Sequence, residues 1–397
     1  MKILIGCSSP PDAGSGILSC AREISEALVS KGHEIHFVAP TPRDWSWINH
    51  SQVRHVPTNQ SDNPREACQR LLHYIKKAEI VGVINNDNPF VQSIFPGLEC
   101  PALAIGHLGQ TSIASLACYR HEWTDYVVAI SNDMQRTFVL KYGVPIVKCP
   151  VIHNGVRDLG QDIDLEHRQS RILRVIFAGG FNKLKGGNHV LKAVLGDKER
   201  WKDIELSWYG SMPSNVVRKT HGLPHVKLHD RVPRHEVLQS LRNSDVLLFP
   251  SRIEGCPMAM LEAMSLGVVP IASDGIGAMR WLIASGVEGY VCHLRRWPEQ
   301  MMECLLHLQK HPDTLAEMKK AVRARFLREY QSGYVVDKLL ERLKAPTVDR
   351  RKRPMKFEVL RWHRPFHPDG LKAPLWERVL FYRLGLLRVA GEIASDG

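Results

Sequence analysis

The sequence predicts an α/β protein made of two successive doubly wound domains facing a central cleft. Short, continuously apolar and β-branched runs alternate with amphipathic helical stretches, the mark of parallel strands buried on both faces. That rhythm stops once, in a polar stretch near Asp158, and then restarts. Finally, 397 residues exceed what one hydrophobic core ordinarily holds, which favours two domains of roughly 150 to 200 residues.

Strands are expected at Ile3 to Ile5, Ile35 to Val38, Ile80 to Ile84, Leu103 to Ile105 and Tyr126 to Ile130, with a helix from Leu18 to Lys31 after the first. They form a first domain over residues 1–160. From Asp158 to Arg168 the chain is polar and poor in strand formers, and it reads as a linker. A second domain, 161–330, repeats the pattern at Val175 to Ala178, Ile204 to Tyr209, Val226 to Leu228, Val246 to Phe249 and Val268 to Ala272. Helical sequence fills Thr314 to Leu343, and residues 331–345 are expected to form a helix that crosses back to the first domain. A basic run from Asp349 to Lys356 opens an extension over 346–397 that is rich in Trp, Phe and Leu. Open sheets of this kind bind ligands beyond the carboxyl ends of their strands, so the cleft between the domains is the expected site.

Composition narrows the class. Apolar residues make up 44% and charged residues 24%, and no apolar run approaches the roughly 20 residues that span a bilayer. The apolar run at Met1 to Gly6 is too short for a secretory signal, so the cytoplasm is expected. Nine cysteines are scattered singly, which argues against a disulfide framework or a structural zinc site. The formal net charge of +12 favours polyanionic partners: nucleotide phosphates, an anionic membrane surface or nucleic acid.

The strongest chemical signal runs from Phe249 to Gly267. A buried strand ends, a turn presents Glu254, and a helix starts, with Pro257 suited to its first position. Free backbone N–H groups near Cys256, Met258 and Ala259, with the positive helix end, suit a diphosphate or sugar hydroxyls, and Gly255, Cys256, Pro257 and Met258 are read as donor-binding. Glu262 lies inside that helix, where a carboxylate can accept two hydrogen bonds from a ribose diol. The plainer alternative is a solvated helix with one glutamate before it and one within. Against that, Glu262 sits among Met260, Leu261, Ala263 and Met264, apolar company for a solvating charge.

This strand, turn and helix, with its two glutamates separated by seven residues, resembles the signature of the family-4 retaining glycosyltransferases. The likeness extends over about the first 340 residues. It implies the GT-B fold, two Rossmann-like domains, and places Glu254 against the transferred sugar and Glu262 against the donor ribose. The segment Phe177 to Gly186 resembles the loop in which the family sets an Arg and, five residues later, a Lys on the diphosphate. Here Lys185 is present and the Arg position is Gly180. Charge neutralisation of the leaving group is then expected to be weaker than in the family, unless Lys183 or another base substitutes, and a plain surface lysine is the alternative for Lys185.

In the first domain, Pro10 to Gly16 falls where the family carries a glycine-rich loop. Gly14 and Gly16 are read as donor-binding, with an ordinary tight turn as the alternative. His107 follows the fourth expected strand, where the family has a His beside the donor sugar; otherwise it is one of 19 histidines, capping a strand. Ser131 is expected to cap a helix beginning at Asn132, and Asn154-Gly155 to form a turn. Trp208 to Gly210 and Arg231 to Pro233 fit loops around the base. Ser273 to Arg280 matches a loop that usually ends in Pro-Glu, where this chain has Met279 and Arg280.

The resemblance implies transfer of a sugar from a nucleotide-diphosphate sugar, the co-substrate, to a hydroxyl of a glycan, lipid-linked or small-molecule acceptor, with retention of configuration. No cofactor and no metal ion are expected. Lys185, backbone amides and the helix end would stabilise the departing diphosphate, with Glu254 and His107 beside the sugar. Two readings compete: a GT-B sugar-nucleotide epimerase or phosphorylase, and a non-catalytic protein with a decayed site that binds polyanions or a membrane surface. No DNA-reading motif is evident, so no specific nucleic acid is expected. The extension 346–397 is expected either to hold an anionic membrane surface, making the protein peripheral at the inner membrane face, or to pack back on the body.

Overall fold

A computed structural model describes residues 1–10, 15–42, 51–58, 63–107, 111–163 and 172–350. Gly14 and the extension beyond Arg350 lie outside the described residues. The chain divides into two units, one of Met1–His153 with the chain from Gly333 onward, the other of Asn154–Ser332.

The first unit is built on β1 (Lys2–Gly6), β2 (Glu34–Ala39), β3 (Val53–Pro57), β4 (Gly82–Asn85), β5 (Ala102–Gly106) and β6 (Tyr126–Ala129). They form one six-stranded sheet in the order β3-β2-β1-β4-β5-β6, parallel at every pairing. Every residue of β4, β5 and β6 is buried, as continuous apolar runs require. The edge strand β3, Val-Arg-His-Val-Pro, escapes the sequence pattern because it is largely open to solvent and contributes one buried side chain. The helix after β1 is Gly16–Ser30, begun two residues before Leu18 because Ser15 Oγ accepts from the Leu18 amide.

The helix Ser332–Lys344 packs on this unit from Gly333 onward. Leu343 fills the space beside Gly82, where a Cβ would stand 3.1 Å from its Cδ1. Beyond it, the fully buried Asp125 gathers the end of the described chain. Its carboxylate accepts from the amides of Ala102, Thr347 (2.8 Å each) and Val348 (2.9 Å), and pairs with Arg350.

The second unit contains β7 (Leu173–Phe177), β8 (Ile204–Tyr209), β9 (Val226–His229), β10 (Val246–Phe249), β11 (Ile253–Glu254), β12 (Val269–Ser273), β13 (Ile276–Gly277) and β14 (Tyr290–Cys292). Six form a sheet in the order β9-β8-β7-β10-β12-β14, again parallel throughout. The buried strand β10 is central, and the short β11–β13 ladder stands apart from the sheet. The three-residue β14 and the two-residue strands are too short to leave a periodicity. Trp201, Trp208 and Trp297 lie wholly inside this core.

The change of unit comes at Asn154, before the polar stretch begins. Asp158 opens that stretch as an anchored residue of the second unit, held by Arg323 at 2.6 Å and by the Gly160 amide at 2.9 Å. Among the described residues no helix is long and apolar enough to cross a membrane. All nine cysteines are free thiols.

Candidate active site

The carboxyl end of β10 organises the site of the second unit. After Phe249 the chain runs through Pro250 and Ser251 into β11, whose Glu254 lies opposite Gly277 of β13. Gly277 has φ +115°, and a Cβ there would collide with the Glu254 carbonyl. The loop is also tied by Ala278 N–H to the Gly255 carbonyl (3.1 Å), and by Asn154 Nδ2 to the Cys256 carbonyl (2.8 Å). Asn154, expected only to turn the chain, is buried and holds this loop in place.

The following helix is Met258–Ser265. Pro257 is its cap rather than its first helical residue, with φ −73° and an extended ψ of 118°. Its carbonyl accepts from Met260 (3.1 Å) and Leu261 (3.3 Å), and among the described residues no side chain caps the helix. The first-turn amides of Met258 and Ala259 are therefore a set of donors, backed by the positive end of the helix. Cys256, in the turn, is a buried thiol whose pKa burial pushes up to about 12, so it stays protonated.

Lys185 reaches the same place from the loop after β7. Asn182 Oδ1 accepts from the amides of Leu184 (2.8 Å) and Lys185 (3.2 Å), forming a tight turn. Gly186, at φ +79°, presses against the Pro250 carbonyl so closely that no side chain fits. Arg252 N–H to the Leu184 carbonyl, 2.8 Å, stitches the two loops together. In consequence Lys185 Nζ stands 2.5 Å from Glu254 Oε1. Half of the lysine side chain is exposed, while the glutamate is largely covered. This is an ion pair at a strand end, between a half-exposed lysine and a largely covered glutamate.

Glu262 is held differently. Buried inside the helix, it pairs with Arg234, the first residue of the helix Arg234–Arg242. Burial raises the Glu262 pKa, and Arg234 and Arg157 act against that rise. The Glu262 side chain is desolvated and clamped by Arg234. The two glutamates thus occupy distinct environments at the two ends of one short segment.

Gly180, standing where the resemblance sets an Arg, has a backbone reason to be glycine. Its φ is +56°, and a Cβ would meet the Ser211 carbonyl oxygen at 3.1 Å. Gly210 approaches it from β8's end, where a Cβ would lie 2.7 Å from the Gly180 Cα. Met279 is buried, 3.9 Å from the Ser273 hydroxyl at its sulfur, and Arg280 is exposed.

In the first unit, His107 follows β5 directly. Gly106 before it has no room for a side chain because the Phe138 ring fills that position. The imidazole is buried, its Nε2 is 3.0 Å from Asn86 Oδ1, and burial pulls its pKa down to about 4, leaving it neutral at physiological pH. Gly16 is the first residue of a helix, and among the described residues nothing stands within 4 Å of a Cβ there. Its absence of a side chain is not demanded by sterics.

Sequence reasoning missed Arg234, one position beyond Arg231 to Pro233, and the polar run Asn85-Asn86-Asp87-Asn88 at the end of β4. Four consecutive Asn and Asp residues after a buried strand were the available signal. An Asp-x-Asp pair does occur at Asp162-Ile163-Asp164, with Asp164 outside the described residues, so the sequence itself does not rule out a metal-binding motif. Among the described residues no cluster of three His, Cys, Asp or Glu suited to a metal is present.

Comparisons with known proteins extend the picture. Residues 14–158 match the family described as Glycosyltransferase Family 4, and residues 173–311 match Glycosyl transferases group 1. The chain is 25% identical over 334 residues to N-acetyl-alpha-D-glucosaminyl L-malate synthase of Bacillus anthracis, covering 74% of this chain and 84% of that protein. A glycosyltransferase structure from Rickettsia africae superposes with a TM-score of 0.72 at 15% identity, over 87% of this chain and 98% of that one. Anabaena HepE, solved in complex with UDP and glucose, gives 0.66 at 14% identity, over 87% and 100%. Those two likenesses fix the frame as GT-B, and the sequence matches supply the rest. With residues 14–158 matched as family 4 and residues 173–311 as group 1, the chain belongs to the GT-B glycosyltransferases of family 4 and is a glycosyl-transferring enzyme.

Proposed function

We propose that this enzyme moves a sugar from a nucleotide-diphosphate sugar to an acceptor hydroxyl, with retention at the anomeric carbon and without a metal ion. One observation carries the reading: a single helix start in the second unit is flanked by Glu254 paired with Lys185 and by Glu262 paired with Arg234. HepE, on the same frame, was solved with UDP and glucose, which supports a nucleotide sugar as donor.

Glu262, a carboxylate in a desolvated setting, accepts the two ribose hydroxyls. The Lys185 ammonium and the first-turn amides receive the diphosphate, and charge builds there as the bond to the anomeric carbon breaks. Glu254 accepts hydrogen bonds from hydroxyls of the transferred sugar and fixes Lys185. The acceptor oxygen bonds to the same face of the anomeric carbon, and its proton leaves with the diphosphate oxygen. Positioning and fixed charge do the catalysis in this scheme.

Two substitutions test it. Glu262→Gln is expected to weaken nucleoside-diphosphate binding roughly 10-fold, about 1.4 kcal/mol, while Glu254→Gln mainly lowers kcat. Titration calorimetry with UDP, ADP and GDP, beside turnover of the matching nucleotide sugars in EDTA, reads both. Equal loss of binding and turnover in both variants contradicts the assigned roles.

A further inference from the structure

The loop after β4 supplies four polar side chains, and three have structural duties. Asn85 Nδ2 donates to the Asn88 carbonyl (3.1 Å) and to Gln92 Oε1 (2.9 Å), and its Oδ1 accepts from the Asn88 amide (3.0 Å). Asn88 caps the helix Pro89–Ser93 and donates to the Cys7 carbonyl at 3.0 Å and to Thr58 Oγ1 at 3.2 Å. Asp87 accepts from the Ser8 amide at 2.8 Å and from the Ser8 hydroxyl. Asn86 differs from all of these. It is 2% exposed, its Oδ1 faces His107 Nε2, and its buried Nδ2 has no partner among the described residues. An unmatched buried amide donor is costly, so such a group calls for a partner such as a bound water, an ion or a ligand.

The chemistry of the pair defines that ligand. With Oδ1 as acceptor, His107 carries its proton on Nε2, which leaves Nδ1 as a hydrogen-bond acceptor. The site then offers one acceptor and one N–H donor, both uncharged, at the carboxyl ends of β4 and β5, where open sheets place ligands. Asp87 next door accepts from Ser8 and disfavours an anion such as phosphate. Hydroxyls, which both donate and accept, fit.

We infer that Asn86 is a sugar-binding and positioning residue: it holds His107 as the Nε2–H tautomer, so that Nδ1 accepts a hydrogen bond from one hydroxyl of a sugar, while Asn86 Nδ2 donates to another hydroxyl oxygen. The inference rests on the transferase reading for the identity of the ligand. Whether the sugar is that of the donor or of the acceptor is separated by experiment.

The test uses the full chain labelled with 15N-histidine, with His107→Gln identifying the His107 signals. Wild type is expected to show the Nε2–H pattern for His107, retained in Asn86→Asp, whose carboxylate still accepts, and replaced by mixed tautomers in Asn86→Ala. An Nδ1–H imidazole in wild type overturns the inference without any variant. In parallel, UDP, ADP and GDP and their glucose conjugates are titrated into wild type and both variants. A loss of about 10-fold for the conjugate, with the free diphosphate unchanged, assigns the hydroxyls to the donor. Unchanged affinity for both, with a His107 signal that moves on adding methyl glucoside to wild type and not to Asn86→Ala, assigns them to the acceptor. Sugar-dependent responses identical in wild type and both variants overturn the inference. Absence of any binding of these conjugates by wild type instead counts against the nucleotide-sugar donor of the proposed function, and the tautomer result still decides the Asn86–His107 pairing.

Discussion

The two sheets share one strand order and differ at their carboxyl ends. Both run 3-2-1-4-5-6 when each is numbered from its own first strand. In the first unit the ends of β4 and β5 carry Asn85, Asn86, Asn88 and a neutral His107, all buried. In the second, the segments that follow β7 and β10 carry Lys185, Glu254 and Glu262, each in an ion pair. The scaffold is common and the chemistry is not. A frame that only presents strand ends leaves function to the side chains placed there: uncharged groups match hydroxyls, and fixed charges match a leaving diphosphate.

Removing the charged contribution is the largest perturbation. Lys185→Ala is expected to lower kcat by roughly 100- to 1,000-fold, the scale of losing one group that stabilises transition-state charge. Because Lys185 is half-exposed, its melting temperature should stay close to wild type. Turnover beside a thermal melt checks both halves of that statement. A melt that falls as far as the rate contradicts it.

Adding charge to the same unit has a smaller and different effect. Gly180→Arg restores the residue the family resemblance expects, yet Gly180 lies at φ +56° against Ser211. An L-residue there costs roughly 1–2 kcal/mol, read as a lower urea midpoint with an unchanged slope. Tighter donor binding with no loss of stability would show that the loop is shaped otherwise.

The smallest effect is on pH dependence. Burial raises the Glu262 pKa, so its carboxylate is lost as pH falls, at a higher pH than for an ordinary glutamate. Arg234 opposes the rise, and Arg234→Gln is therefore expected to move the acid-side fall of nucleotide affinity upward in pH. Calorimetry between pH 5 and pH 8 measures the shift. A downward shift, or the same fall in Glu262→Gln, removes Glu262 from the nucleotide site. His107, already neutral with a pKa near 4, should contribute no titration in that range.

The fold was legible where burial was complete. Strands such as β5 and β10 are apolar without interruption, and β4 is so up to Asn85, so each is visible in the residues alone. Exposed β3 and three-residue β14 left no pattern to read. The glutamate spacing was legible as well, since it lies within one short segment. The partners were not: Lys185 is 69 positions from Glu254, and Arg234 is 28 from Glu262, separations that only the sheet order closes. The Asn86–His107 pair likewise depends on β4 and β5 being neighbours. Gly180 shows the reverse limit, because a missing side chain looked like a lost charge until the backbone angle gave it a local cause.

The contrast between the two strand-end clusters is tested most directly by titrating UDP, ADP and GDP into wild type, Glu262→Gln and His107→Gln. The expected result is that at least one diphosphate binds wild type, that Glu262→Gln weakens it roughly 10-fold, and that His107→Gln leaves it unchanged. Equal weakening by both substitutions, or none by Glu262→Gln, would contradict the assignment of the nucleotide to the charged cluster of the second unit.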